Sequence, residues 1–156
     1  MEQINIILAD DHVLVRDGIK SLLEDDKSIH VIDEASNGKE ALEIIAKNKP
    51  DLLVVDIRMP EMNGIEVVKR LKKSNPEVKA LVLSMHDSEE YVVQSIQSGA
   101  DGYLLKGSSK EEFLKALHTV AEGGKYFSGD VSSPNAELKS LKAQAYDLVC
   151  NGYEIG

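Results

Sequence analysis

The chain has 156 residues with 42% hydrophobic side chains, which suits one packed domain plus a short extension and argues against wholesale disorder. A formal net charge of −9 repels phosphate backbones, so direct nucleic-acid binding by this chain is not expected. The single cysteine, Cys150, offers no disulfide framework, and there is no signal-peptide pattern and no apolar run of membrane-spanning length, so a soluble, cytoplasmic protein without membrane contact is expected.

In chain order, Ile4-Asn5-Ile6-Ile7-Leu8-Ala9 reads as a short strand that ends abruptly in Asp10-Asp11. Leu14, Val15, Ile19, Leu22 and Leu23 fall on one helical face. Val31 to Ala35 reads as a second strand, Asn37-Gly38 as a turn, and Ala41, Leu42, Ile44 and Ile45 mark a second helix that stops near Lys49-Pro50. Leu52-Leu53-Val54-Val55 is a continuous apolar run, the pattern of a parallel strand covered on both faces, and it ends in Asp56. Gly64 opens a third helix with Ile65, Val67, Val68 and Leu71, closed by Asn75-Pro76. Ala80 to Leu83 is a fourth strand ending in Ser84, and a fourth helix runs from about Ser88 to Ser98. After a loop at Gly99-Ala100-Asp101-Gly102, Tyr103-Leu104-Leu105 is a fifth strand ending in Lys106. Ser109 can cap a fifth helix bearing Phe113, Leu114, Leu117 and Val120, which Gly123-Gly124 terminates.

Alternating strands and helices imply an α/β fold: a doubly wound, five-stranded parallel sheet in the flavodoxin-like order 2-1-3-4-5, with helices on both faces. Half of a Rossmann fold is the alternative, but Asp10-Asp11-His12 stands where its glycine-rich turn would be, and no cofactor-binding residues are expected. Parallel strands present their C-terminal ends at one edge, where ligands bind. That edge collects Asp10 and Asp11, Asp56, Ser84 and Lys106, whereas the second strand lies at the margin and ends in nothing comparable. Three carboxylates in one cleft need a cation, and Mg²⁺ suits carboxylates that also meet a substrate phosphate. For phosphoryl transfer Asp56 can act as nucleophile, the metal and Lys106 can supply positive charge, and Ser84 can donate a hydrogen bond. Taken singly, Asp11 could instead cap the first helix, Ser84 be a loop residue and Lys106 a solvated one, and a carboxylate directly after four apolar residues is costly without a partner. It is the coincidence of the set at separate strand ends that favours function.

Leu8-Ala9-Asp10-Asp11-His12, Val55 to Gly64 and Gly102 to Gly107 resemble the receiver domains of response regulators, most closely the NarL-type branch, and the resemblance covers about residues 3 to 133. It implies phosphorylation of Asp56 by a histidine kinase or phosphotransfer protein, and Mg²⁺ held by Asp11, Asp10, Asp56 and the backbone carbonyl of Arg58. It also implies that Ser84 and Tyr103 report phosphorylation to a partner or homodimer surface. Gly107 replaces the proline found after the lysine in many receivers, which leaves open whether the Lys106–Gly107 bond is cis. His12 reads as a first-turn helix residue, and Met85 and His86 as edges of the site that tune dephosphorylation.

On this reading residues 1–124 form the receiver, 125–134 a linker and 135–156 a partly helical tail. No basic recognition helix follows the linker. Residues from about Asn135, especially Ala145 to Gly156, resemble a fragment of bacterial-type aspartyl-tRNA synthetase, as a chimera or fusion scar would, without the rest of that enzyme. The competing enzyme reading is a phosphatase of the haloacid-dehalogenase type, which carries a second aspartate two residues after its nucleophile. Arg58 stands there instead.

Overall fold

The computed structural model describes residues 3–85 and 89–127. The chain alternates β1 (Ile4–Ala9), α1 (Val13–Leu23), β2 (Ile29–Ala35), α2 (Gly38–Asn48), β3 (Leu52–Asp56), α3 (Gly64–Ser74), β4 (Lys79–Ser84), α4 (Glu89–Ser98), β5 (Gly102–Leu105), α5 (Lys110–Ala121) and β6 (Tyr126–Phe127). All pairings are parallel, in the order β2-β1-β3-β4-β5-β6. The expected order is thus present, with a sixth strand added at the margin.

That strand falls within the stretch expected as a linker, residues 125–134. Tyr126 and Phe127 pair with Gly102 and Tyr103, and Lys125 and Tyr126 make side-chain bonds to Asp101 and Glu112 at 2.6 and 3.0 Å. Residues 128–156, with the rest of the linker and the whole tail, lie outside the described residues, as do His86 and the expected start of the fourth helix at Ser88.

Strand alternation divides the core into two layers. Ile7, Ala9, Leu53, Val55, Val82 and Tyr103 pack towards α2, α3 and α4, with Ile45, Val68, Leu71 and Ile96. Ile6, Leu8, Val54, Leu81, Leu83 and Leu104 pack towards α1 and α5, with Ile19, Leu23, Phe113 and Leu117. Because both faces are covered, every residue of β3 is buried, which is why its sequence shows no polar alternation until Asp56.

Local signals set the helix starts. Ser109 accepts from Glu112 N as expected, and Asn37 and Asn63 do the same for α2 and α3 through Glu40 N and Glu66 N. Asn37, read as a turn residue, is therefore a cap. Asp11 does not cap the first helix: His12, read as a first-turn residue, occupies the N-cap position without a side-chain cap bond, which leaves Asp11 outside the helix. No peptide bond is cis among the described residues, so Lys106–Gly107 is trans.

Candidate functional site

Strand register brings the expected residues together. Ala9 lies opposite Val55, Asp56 opposite Leu83 and Ser84 opposite Leu105, so Asp10, Asp56, Ser84 and Lys106 follow one another along the C-terminal edge. Two backbone bonds carry the ladder past the strand ends, Ile57 N to Leu83 O at 3.0 Å and Lys106 N to Ser84 O at 2.8 Å.

The loop after β3 is drawn in tightly. Met62 N donates to Pro60 O at 2.7 Å across Glu61, whose φ is +69°, a γ-turn in a sparsely populated backbone region. Gly64 N then donates to Ile57 O at 2.9 Å, which seats the first turn of α3 against the end of β3. A Cβ at Gly64 would lie 2.4 Å from Asp56 O, so only glycine permits this approach.

Asp10 and Asp56 are both buried, and Lys106 bridges them: its Nζ lies 2.9 Å from Asp10 Oδ2 and 3.2 Å from Asp56 Oδ2. The other oxygen of Asp10 accepts from His12 N at 2.9 Å, and the other oxygen of Asp56 accepts from Arg58 N at 3.3 Å. Burial and the neighbouring Asp10 charge push the Asp56 carboxyl above its ordinary range, against the opposing pull of Lys106 and the Arg58 amide. For Lys106, burial works against the charge, but the hydrogen bond to Asp10 and the charges of Asp56 and Asp10 outweigh it, and its pKa is raised. Lys106 is therefore a fixed cation.

One cation does not neutralise three acids. Asp11 Oδ1 is buried and makes no hydrogen bond; its nearest basic neighbour is His12 Nδ1 at 3.0 Å, outside hydrogen-bond geometry. One donor atom from each of Asp10, Asp11, His12 and Asp56 lies within 4.8 Å of the others. An orphaned buried carboxylate oxygen beside two further carboxylates is the donor chemistry of a hard divalent cation, and the acidic residues fit such an ion. The site opens into a cleft of about 410 Å³ lined by Asp11, Arg58, Met59, Asn63, Tyr91 and Gln94 among others.

Ser84 and Tyr103 are both fully buried, and Tyr103 sits on the sheet face that meets α3 and α4. Met85, directly after Ser84, is 72% exposed. Two contributors were not anticipated. His12, read as a helix residue, supplies the backbone donor to Asp10. Arg16, four residues on and on the same side of the first turn, donates to the Asp10 carbonyl; that spacing was its only signal.

The model of the response regulator receiver domain matches residues 6–118. Nitrate/nitrite response regulator protein NarL from Escherichia coli is 42% identical over 122 residues, covering 78% of this chain and 56% of that protein. Response regulator UvrY from Escherichia coli is 37% identical over 166 aligned positions, covering 97% of this chain and 76% of UvrY. The UvrY match takes in most of residues 135–156. A solved LuxR-family two-component response regulator from Aurantimonas sp. SI85-9A1 superposes with a TM-score of 0.83 at 28% identity, covering 89% of this chain and 99% of that one. The chain spans only 52% to 60% of the length of several curated relatives. No helix among the described residues is long and apolar enough to cross a membrane. By these matches, and by a sheet edge that gathers two buried aspartates under one lysine, the chain belongs to the response regulator receiver family.

Proposed function

We propose that Asp56 is the phosphoacceptor of this receiver, loaded by a histidine kinase or a phosphotransfer protein. The observation that carries the reading is the buried Asp10–Lys106–Asp56 bridge with the unsatisfied Asp11 oxygen beside it. Asp10, Asp11 and Asp56, with the backbone carbonyl of Arg58, would hold Mg²⁺, which when bound supplies charge that offsets the carboxylates and the phosphoryl oxygens.

The rest of the chemistry belongs to the chain. A carboxylate oxygen of Asp56 attacks the phosphorus of a phosphohistidine; the new P–O bond forms as the P–N bond breaks, and the donor imidazole leaves with the bonding electron pair. Lys106, held in place by Asp10 and Asp56, stabilises negative charge on the transferring group. The Ser84 hydroxyl donates to a phosphoryl oxygen, and that new bond draws the end of β4 towards the site. Tyr103, one strand over and buried against the α3 and α4 face, passes the change to a partner or dimer surface. A haloacid-dehalogenase-type phosphatase has no support from the site, because Arg58 occupies the position of its second aspartate and contributes its amide to Asp56.

Beryllofluoride, a phosphoryl mimic, tests the switch directly. With Mg²⁺ it is expected to shift the NMR amide signals of Ser84 and Tyr103, and without Mg²⁺ to leave them in place. No shift at either residue with both present overturns the switch reading.

A further inference from the structure

The end of β2, which carries no acid into the site, reaches it through α1. Arg16, with a side chain only 13% exposed, directs Nε to Glu34 Oε1 at 3.0 Å and Nη1 to the backbone carbonyl of Asp10. Lys20 holds the second Glu34 oxygen at 2.7 Å, and together these cations, Lys20 first, keep the Glu34 carboxyl below its usual range. Asp10 is gripped on its other side as well, since its N–H donates to Ala35 O at 3.0 Å and its carboxylate is taken by His12 N and Lys106.

The Asp10 carbonyl belongs to the peptide that joins Asp10 to Asp11. The orientation of that planar unit sets where the Asp11 N and Cα stand, and so limits where the Asp11 carboxylate can reach. Every other polar group of Asp10 is committed, whereas Asp11 Oδ1 makes no hydrogen bond and meets only the exposed imidazole of His12, at 3.0 Å. We propose that Arg16 is a positioning residue for the cation site: by tying the Asp10–Asp11 peptide to Glu34 at the end of β2, it presets the Asp11 carboxylate. A planar guanidinium serves because it reaches an acid and a carbonyl at once with fixed geometry, which an ammonium cannot do. The inference rests on the reading that the acidic cluster binds Mg²⁺.

The sign of the effect separates this role from a purely electrostatic one. Arg16 is a cation close to a cation site, so electrostatics alone predicts that removing it tightens Mg²⁺ binding. Loss of positioning predicts the reverse, by about tenfold, as for other residues that orient metal ligands. Mg²⁺ is titrated calorimetrically into the full chain without phosphodonor, for wild type, Arg16→Met and Lys20→Met, with apo melting curves alongside. Lys20 shares Glu34 but does not touch Asp10, so Lys20→Met is expected to keep wild-type affinity while Arg16→Met loses it. Affinity in Arg16→Met at or above wild type overturns the proposal, and so does an equal loss in Lys20→Met. Should Arg16→Met fail to fold, Arg16→Lys, which keeps the charge, decides on the same criterion. If the wild type itself binds no Mg²⁺, the metal reading falls and this inference with it; if the wild type binds and Arg16→Met binds equally well, only this inference falls.

Discussion

Gly64→Ala isolates the contact that brings α3 against the phosphoacceptor strand. The added Cβ would stand 2.4 Å from Asp56 O, 2.9 Å from the Ile57 Cα and 3.0 Å from the Asp56 carbonyl carbon. All three are backbone atoms at the end of a fully buried strand, so no side chain can turn aside. Ordinary contact begins at about 3.4 Å, so α3 must back away by about 1 Å, together with its buried Ile65, Val67, Val68 and Leu71. Overpacking of this kind costs about 2–3 kcal/mol, which lowers the melting temperature by about 10 °C in a domain of this size. Because φ at Gly64 is not in the left-handed region, Ala is otherwise allowed there. Helix propensity and a stiffer unfolded chain would on their own stabilise the variant by up to about 1 kcal/mol. The sign of the shift is therefore diagnostic. Gly18→Ala is the control, since that exposed glycine within α1 has nothing within 4 Å of its added Cβ and is expected to gain about 0.5–1 kcal/mol. Thermal and urea melts of both variants check this, and a Gly64→Ala protein as stable as the wild type refutes the close approach of α3 to Asp56.

Asp56→Asn should raise the melting temperature of the metal-free protein at neutral pH, because burial and Asp10 disfavour the ionised carboxylate. A raised acid pKa means that the folded state holds the proton more tightly, so the gain is full above the folded pKa and fades as pH falls through it towards the unfolded value; melts in chelator across that range read it, and a constant gain contradicts it. Asp101→Ala should cost about 2–3 kcal/mol at neutral pH, since it strands Lys72 and Lys125, which lie 2.8 and 2.6 Å from a buried carboxylate. Burial opposes the Asp101 charge, but its bonds to Lys125, Lys72 and the Ala80 amide lower its pKa, so the wild type's advantage should persist above the unfolded value and be lost as pH falls through the folded one. A chain ending at Ser133 should melt and accept phosphate like the full chain. One ending at Gly124 should melt several degrees lower, because it loses β6, the Lys125–Asp101 pair and the Tyr126–Glu112 bond; equal melting of the two would show that β6 contributes nothing.

Most of the strand and helix order was legible, because parallel strands buried on both faces are written as apolar runs and five of them alternate with amphipathic segments. The Asp10, Asp56, Ser84 and Lys106 edge was legible for the same reason: each residue directly follows such a run. What escaped depends on contacts between distant segments. Tyr126–Phe127 is too short to show a period, and it becomes a strand only because β5 offers an open edge. Asp101, read as a loop residue, acquires its role from two lysines 24 and 29 positions away. Glu34 looked irrelevant at the sheet margin because its link to the site runs through Arg16, 18 residues earlier. Gly64 was visible as a helix start, but the approach that demands glycine is a property of the packed backbone.

Intact-mass spectrometry after incubation with acetyl phosphate and Mg²⁺ reads out whether Asp56 accepts the phosphoryl group. The wild type is expected to gain the mass of one phosphoryl group, chelation to prevent the gain and Asp56→Asn never to show it. An unchanged wild-type mass, or full labelling of Asp56→Asn, would contradict it.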